Sequence, residues 1–166
     1  MMNKVLLKPE KESEEPNQRK ALFRTMCKVK GKCCKMVIDG GSTNNLVSTE
    51  MVEKLDLKKV KHPLPYKVSW LHKGHQIMVS EQCEVDLQVG TYKDKIICDI
   101  MPMDVCHVLL GRPWQYDRKV VHEGRRNNCS FEKDGMKHVL LPLEGGSTVE
   151  QQPVKVVMLT NKKYLQ

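Results

Sequence analysis

The chain is poor in aromatic residues and contains no long apolar run. Phe, Trp and Tyr together make up only 5% of its 166 residues, although apolar residues as a group reach 40%. This composition favours strands around an aliphatic core, and a single domain of this length can be stable without disulfides. Because no run of roughly eighteen apolar residues occurs, we expect no membrane-spanning segment and no membrane partner.

A secretory signal is also missing. Residues 1–20 lack the charged start, apolar middle and small-residue cleavage site of such a signal, so we expect an intracellular, cytoplasmic protein. In that compartment seven cysteines, an odd number that includes the adjacent Cys33 and Cys34, predict reduced thiols. At least one of this pair should lie in the core, since neighbours in a strand face opposite sides.

The chain has no paired Cys-x-x-Cys motif. His72 and His75 have a spacing that metal ligands can have, and Cys83, Cys106 and His107 are possible further ligands. A polar hairpin tip explains the two histidines more simply, because no paired cysteine motif accompanies them. We therefore predict neither a metal site nor a cofactor.

Acidic residues are outnumbered by basic ones. The chain has 28 Lys and Arg against 20 Asp and Glu, which gives a net charge of +8 spread along its length. No aromatic-plus-basic motif of the kind found in RNA-binding modules accompanies this charge. We expect a solvated basic surface, with no nucleic-acid binding beyond nonspecific charge attraction.

The patterning divides the chain into three regions. Residues 1–20 include a charged stretch with two prolines and almost no apolar residue, which predicts a disordered lead-in. Residues 21–143 form the predicted domain, and residues 144–166, which contain a Gly-Gly-Ser run, are predicted to be a tail or linker.

Local patterns predict the elements of this domain. Two strands predicted at 23–30 and 32–38 are joined at Gly31 as a hairpin, and Ser48 or Thr49 can cap a short helix that runs to about Leu55. Further strands are predicted at 66–70, 76–80, 83–89, 96–101 and 105–110, with a hairpin at 130–141. The Lys- and Pro-bearing stretch at 58–65 is predicted to be a connection. A hairpin at 66–80 should stand free of the body.

The most informative stretch runs from Met36 to Ser42. Three apolar residues lead directly into Asp39 and then into two glycines, Gly40 and Gly41. A buried strand needs no carboxylate at its end, and paired glycines suit a positive φ or a close approach of the backbone. Two interpretations are open at this point: a strand end with an Asp-Gly turn, or a catalytic aspartate in a tight loop.

Three segments together resemble the retropepsin-like aspartic proteases. They are Asp39-Gly40-Gly41-Ser42 after an apolar strand, the hairpin at 66–80, and Val108-Leu109-Leu110-Gly111-Arg112 before a short helix. The likeness is greatest to the protease region of plant gypsy-type retrotransposon Gag-Pol polyproteins, over about residues 19–143. It implies an all-β fold, a closed retropepsin-like (acid protease) barrel with one or two short helices.

The resemblance also implies roles for individual residues. Asp39 is implied to be the catalytic acid, in an active-site loop with Gly40, Gly41 and Ser42. The tip of the implied flap, which covers bound substrate, comprises Trp70, Leu71, His72, Lys73, Gly74 and His75. The implied structural support beneath the loop comprises Val108, Leu109, Leu110, Gly111 and Arg112.

Three residues have further expectations. The resemblance implies that Arg112 is buried in an ion-pair network near a dimer interface, and Asp117 is the candidate partner. Trp114 stands beside a helix start after a buried strand, so it is expected in the core. Trp70 either contacts substrate or packs against the body.

The implied activity is peptide-bond hydrolysis by an aspartic endopeptidase. Without a metal, one carboxyl group must take a proton from water while another gives a proton to the scissile carbonyl group, and two adjacent carboxyl groups that share a proton do both. Asp39 is the only Asp in the chain followed at the second position by Gly. Each copy therefore supplies half of the site, and the enzyme should be a homodimer that holds a polypeptide substrate as an added strand.

Gly40 departs from the pattern of the family. Most retropepsins have Thr or Ser at this position, and that hydroxyl group forms hydrogen bonds across the dimer. Its absence should weaken the dimer by ~1 kcal/mol for each lost bond and lower the activity. The alternative interpretation is therefore a weak or inactive retropepsin-like module that serves in dimerisation or protein interaction.

Overall fold

The computed structural model of the chain describes residues 22–69 and 76–143. Three predicted regions lie outside these ranges: the lead-in at 1–20, the tail at 144–166 and the flap tip. The flap-tip residues concerned are Trp70, Leu71, His72, Lys73, Gly74 and His75. None of the described helices is long and apolar enough to span a membrane.

The described ranges form ten strands and two short helices. The strands are β1 (Phe23–Val29), β2 (Lys32–Ile38), β3 (Leu46–Ser48), β4 (Lys59–Ser69), β5 (Gln76–Val89), β6 (Tyr92–Met101), β7 (Val108–Leu110), β8 (Val121–Glu123), β9 (Asn128–Lys133) and β10 (Met136–Leu140). The helices are α1 (Thr49–Lys54) and α2 (Arg112–Asp117). The predicted all-β fold class with one or two short helices is confirmed.

Seven strands form one sheet in the order β1-β2-β7-β3-β6-β5-β4. Because β1 also pairs with β5, through Lys28–Gln88 and Val29–Leu87, the sheet curls into a ring of strands. β7 runs parallel to β2, and this pairing sets Ile38 opposite Leu110. The other three strands form a small sheet in the order β10-β9-β8.

The predicted hairpin of β1 and β2 is confirmed. Its turn consists of Lys30 and Gly31, which have φ values of 54° and 78°. Two-residue turns with positive φ at both positions match the twist of the flanking strands. The turn therefore fixes the register in which β2 carries its apolar residues toward Asp39.

The last three residues of β2 and all of β7 are buried on both faces. In each strand the outer two of three consecutive apolar residues pack in the larger core, while the middle one packs in a smaller core. The outer residues are Met36, Ile38, Val108 and Leu110, and the middle ones are Val37 and Leu109. The strand predicted at 105–110 is confirmed only for Val108–Leu110.

The helix predicted at 48–55 is confirmed as α1. Ser48 caps it, and its Oγ accepts a hydrogen bond from Met51 N–H at 3.0 Å. Glu50 lies in the first turn, where a negative charge interacts favourably with the helix dipole. Met51 and Val52 pack in the larger core, so α1 is docked against the sheet.

The connection predicted at 58–65 is wrong, because β4 already begins at Lys59. The prolines in this stretch suggested a break in the strand. They are tolerated because β4 is the edge strand of the sheet, where a missing N–H need not remove a ladder hydrogen bond. The pairing of β4 with β5 is irregular between Lys61 and Tyr66, next to Pro63 and Pro65.

The described part of the hairpin at 66–80 packs against the body, where a free-standing hairpin was expected. It is the outer part of a longer pair, since β5 is one strand of 14 residues where two strands were predicted. Tyr66 and Val79 at the base of the hairpin are buried in the smaller core. The base of the predicted flap is thereby anchored near β2 and β7.

All seven cysteines are free, and six of them are buried. Cys33 is exposed while the adjacent Cys34 is buried, as strand alternation predicts. Burial raises the pKa of Cys27 to about 12 and that of Cys106 to about 12. These thiols therefore stay protonated at neutral pH and act as small apolar side chains.

Candidate active site

The loop that follows β2 is held at both ends by the segment around β7. Asp39 N–H donates to Leu110 O at 2.9 Å, and Arg112 N–H donates to Ser42 O at 2.9 Å. The structure therefore brings Asp39 together with the strand that was predicted to support it. The catalytic and supporting roles of these residues stay predictions.

The Asp39 carboxylate is fixed within a tight turn. Its Oδ1 accepts a hydrogen bond from Gly41 N–H at 2.8 Å, and Ser42 N–H donates to the main-chain O of Asp39 at 3.1 Å. Among the described residues no donor is bonded to the second carboxylate oxygen, Oδ2. That oxygen is free to bond a water molecule or a second carboxyl group.

Neither Gly40 nor Gly41 has a positive φ, so backbone conformation does not explain the glycines of the loop. Close packing explains them instead. A Cβ atom at Gly41 would lie 3.2 Å from Asp39 Oδ1 and would disturb the turn. Gly111 is enclosed more tightly, because a Cβ there would lie 2.4 Å from Asn44 O and 2.7 Å from Ser42 O. The chain can pass beneath the loop only because position 111 has no side chain.

Asn45 joins the loop to α2, and sequence analysis missed it. This buried side chain accepts hydrogen bonds at Oδ1 from Gly111 N–H at 2.9 Å and from Trp114 N–H at 3.3 Å. Gly111 is the N-cap of α2 and has no side chain with which to cap it. A glycine cap therefore predicts an acceptor from elsewhere, although the sequence does not say which residue supplies it.

Asp99 on β6 connects the loop to the base of the hairpin, and sequence analysis did not single it out. It is 4% exposed. Its Oδ2 accepts from Tyr66 O–H at 2.5 Å and Asn44 Nδ2 at 3.3 Å, while its Oδ1 accepts from Gln82 Nε2 at 3.0 Å and His62 Nε2 at 3.1 Å. These five residues, the Asp99 cluster, join the loop, β4, β5 and β6 at one carboxylate.

The donors of the Asp99 cluster are neutral groups. His62 Nδ1 accepts a hydrogen bond from Leu64 N–H at 2.9 Å, so the ring proton lies on Nε2 and is donated to Asp99. Burial and the hydrogen bond to Asp99 raise the pKa of Tyr66, which keeps its hydroxyl group protonated. None of the four side chains that donate to Asp99 is therefore charged.

α2 is anchored by a different carboxylate, Asp94. Arg118 forms two hydrogen bonds with it, Nε to Oδ2 at 2.6 Å and Nη2 to Oδ1 at 2.7 Å. Tyr92 O–H donates to Asp94 Oδ2 at 2.5 Å and accepts from Trp114 Nε1 at 2.9 Å. These four residues form the Asp94 cluster. Trp114 is 2% exposed, so its predicted place in the core is confirmed.

The ion pair with Arg118 lowers the pKa of Asp94. Burial by itself would raise the pKa of this carboxyl group, but the hydrogen bonds from Arg118 and Tyr92 outweigh burial and lower the pKa below its usual range. Asp94 is therefore ionised in the folded protein, and the Asp94 cluster is a bidentate ion pair with a neutral hydroxyl group beside it.

Within the described chain, Arg112 does not form the ion pair expected with Asp117. Its side chain is exposed, and among the described residues neither Asp117 nor another acid pairs with it. Arg112 begins α2 and faces solvent, whereas Arg118 follows the end of the helix and reaches β6. Arg112 supports the loop through its main-chain N–H, and its role at a dimer interface stays a prediction.

Within the described ranges, no group of three or more His, Cys, Asp and Glu side chains could hold a metal ion. His107, one of the possible ligands, instead accepts a hydrogen bond at Nδ1 from Lys35 N–H at 2.9 Å. Burial and the charge of Lys35 lower the pKa of His107, which suits this accepting role. The predictions for His72 and His75 fall on undescribed residues.

Comparison with solved structures shows the fold. The retroviral protease-like domain of Ddi1 from Leishmania major has a TM-score of 0.53 and 7% sequence identity, over 76% of this chain and 97% of that chain. A retropepsin-like aspartic protease from Rickettsia conorii has a TM-score of 0.41 and 16% identity, over 75% of this chain and 85% of that chain. The first of these similarities supports a retropepsin-like fold.

Comparison with family models is more specific. The model of the PEG10/RTL1 protease domain matches residues 35–134, a range that holds the Asp39 loop, both helices and the two aspartate clusters. No curated protein matches the chain. Because the family match covers more than half of the chain, the chain belongs to the PEG10/RTL1 protease domain family.

Proposed function

We propose that the chain is a retropepsin-type aspartic endopeptidase that acts as a homodimer, with Asp39 of each copy supplying one carboxyl group. The observation that carries this proposal is the geometry of that carboxylate. One oxygen is held by Gly41 N–H at 2.8 Å, and no described residue donates to the other. Among the described residues the group also forms no salt bridge, so no cation among them neutralises its charge.

The mechanism follows from two such groups side by side. Adjacent carboxyl groups share one proton, because two neighbouring negative charges repel each other. The ionised Asp39 takes a proton from a water molecule, whose oxygen attacks the scissile carbonyl carbon. The protonated Asp39 of the other copy gives its proton to the carbonyl oxygen. The product of these two proton transfers and the attack is a tetrahedral intermediate. Proton transfer to the leaving nitrogen then breaks the C–N bond and yields a carboxylic acid and an amine.

The proposed substrate is an unfolded polypeptide segment. β4 is an edge strand, and such strands present unpaired main-chain groups to which an extended peptide can bond. Cys106 belongs to the smaller apolar core and lies close enough for the charge of Asp39 to act on it, so this core borders the carboxylate. Apolar substrate side chains beside the scissile bond would contact the rim of this core.

The test is cleavage of an unfolded reporter polypeptide by the purified chain. Asp39→Asn should lower kcat/KM by roughly 1000-fold, because an amide cannot exchange the catalytic proton. Asp86→Asn, an exposed position on β5, is the matched control and should leave cleavage unchanged. A pepstatin-like mimic of the transition state should inhibit the parent. Equal cleavage by Asp39→Asn and the parent would overturn the proposal.

Gly40 favours a second candidate function. Without the hydroxyl group that most retropepsins have there, the chain is a candidate dimerisation or protein-interaction module with weak or no activity. The two candidates differ in one measurement. A chain that dimerises, yet releases no product that disappears with Asp39→Asn, would be the interaction module.

The sequence resemblance also supports proposals on origin and context. We propose that residues 21–143 are the protease domain of a retrotransposon Gag-Pol polyprotein of the plant gypsy type. Residues 1–20 and 144–166 are then a lead-in and a linker, and the chain acts in the cytoplasm. Leu143 N–H donates to Arg24 O at 2.8 Å, which brings the two ends of the described domain together and supports its boundaries.

A further inference from the structure

The carboxamide of Gln115 lies against Gly40. A Cβ atom at position 40 would be 3.3 Å from Gln115 Oε1 and 3.6 Å from Gln115 Nε2. The far end of this side chain therefore occupies the space beside the loop into which the side chain of a Ser or Thr at position 40 would extend. α2 thus places a polar group where Gly40 itself provides none.

This carboxamide has unused hydrogen-bonding capacity. The main-chain groups of Gln115 are both bonded, N–H to Gly111 O at 3.2 Å and O to Val120 N–H at 3.0 Å. In the described part of the chain, no group is bonded to its side-chain Oε1 or Nε2. A carboxamide offers two donor hydrogens and two acceptor lone pairs, and this one is half-buried.

Gly40 has unused capacity as well. The residue is exposed, and its N–H is bonded to no acceptor within the described ranges. Each copy thus has, in its described part, an unbonded Gly40 N–H and an unbonded Gln115 amide oxygen beside the same loop. When a twofold axis passes close to both groups, the N–H of one copy faces the amide oxygen of the other. An isologous contact of this kind brings the amide of each copy to the N–H of the other, so one residue yields two equivalent bonds.

We propose that Gln115 replaces the missing hydroxyl group of position 40 as the residue that links the two copies beneath the Asp39 pair. Its Oε1 accepts a hydrogen bond from the N–H of Gly40 of the partner subunit. The inference rests on the proposed dimeric aspartic protease. Gln115 is a positioning residue in this role, since it contacts the loop and not the reacting atoms.

The position of α2 is rigid enough for this role. Asn45 accepts from the first turn of the helix, and Arg118, just after its end, is paired with the buried Asp94. Gln115 lies between these two attachments, so the scaffold fixes the main chain from which its side chain extends toward Gly40. A preorganised donor or acceptor loses less conformational entropy when it bonds to a partner.

The test is the dissociation constant of the dimer, measured by analytical ultracentrifugation of the full chain. Gln115→Leu keeps the size of the side chain and removes its hydrogen bonds, so it should weaken the dimer about tenfold or more. Gln88→Leu, the same change at an exposed position of β5, is the matched control and should leave dimerisation unchanged. Equal denaturation midpoints of parent and variants show that the monomer is intact.

A rescue experiment separates linkage from packing. Gly40→Thr in the parent should not strengthen the dimer, because its Cβ meets the Gln115 carboxamide at 3.3 Å. Combined with Gln115→Ala, which vacates that space, Gly40→Thr should restore the dimer that Gln115→Ala alone weakens. At concentrations where each protein is fully dimeric, kcat should be lower in Gln115→Ala than in the parent and should be restored in the double variant.

The outcomes distinguish this inference from the function on which it rests. A dimer whose dissociation constant is the same in the parent and in Gln115→Leu overturns the inference and leaves the protease proposal standing. A weaker Gln115→Leu dimer combined with full cleavage by Asp39→Asn supports the inference and overturns the protease proposal. A chain that stays monomeric at all concentrations overturns both.

Discussion

Two buried aspartates on β6, Asp94 and Asp99, solve the same problem in different ways. They are 6% and 4% exposed, and each must satisfy a carboxylate that is removed from water. Asp94 is bonded by the charged guanidinium group of Arg118 at two atoms. Asp99 is bonded by four neutral side chains from three other parts of the chain.

The two aspartates differ in their bonding partners because they connect different parts of the molecule. The Asp94 cluster fixes α2 to β6, a contact within the scaffold, and a bidentate ion pair gives it both energy and a fixed orientation. The Asp99 cluster joins the Asp39 loop to the base of the predicted flap through single bonds to neutral donors. Such bonds are individually weaker, so this connection can lose one partner and keep the others.

The largest effect should come from breaking the Asp94 cluster. Arg118→Met keeps most of the side-chain volume but leaves Asp94 buried without its cation, which should lower the free energy of unfolding by about 3 kcal/mol. Urea denaturation of parent and variant measures this difference in the free energy of unfolding. The control is Lys54→Ala, which removes the exposed pair with Glu50 and should change stability by less than about 0.5 kcal/mol. Similar losses in both variants would contradict the comparison.

A smaller effect should come from the Asp99 cluster. Asp99→Asn keeps the shape of the side chain but replaces one carboxylate oxygen with an amide NH2 group. The two donors bonded to that oxygen lose their acceptor, which should lower the free energy of unfolding by about 2 kcal/mol. Because Asn44 belongs to this cluster, cleavage should fall along with stability. Asp86→Asn, at an exposed position, should change neither. An Asp99→Asn protein with parental stability would show that the cluster contributes little.

The smallest effect should be the dependence of the Asp94 pair on pH. The pKa of Asp94 is lowered in the folded protein from its ordinary value of 3.8, so its stabilisation is present above that value and is lost as pH falls through the folded pKa. The stability difference between the parent and Arg118→Met should therefore shrink in acid. Denaturation curves at several pH values below neutrality measure this, and a constant difference would contradict the assignment.

Sequence patterns located most of the elements but not all of their lengths. The hairpin of β1 and β2 and the start of α1 were predicted because a turn with Gly31 and a cap at Ser48 are local signals. The start of β4 was missed because Pro63 and Pro65 suggest a break, and only its place at the sheet edge makes them acceptable. β3 was missed because three residues are too few to show alternation.

The candidate site divides in the same way. Asp39 could be found from the sequence because its neighbours, an apolar strand and two glycines, are adjacent in the chain. Asn45, Asp99 and Gln115 could not, because each is defined by a contact with a residue distant in sequence. Arg118 was overlooked in favour of Arg112 for the same reason, since only the distance to Asp94 separates the two.

The sequence by itself determined that an apolar strand ends in Asp39 and that a second apolar strand ends in Gly111, because local periodicity and small residues encode these features. Only the tertiary structure decided that Gly111 lies against Ser42 O and Asn44 O, and that Gln115 lies beside Gly40. The physical reason is strand pairing. The parallel register of β2 and β7 sets which residues meet, and no pattern within either strand contains that information.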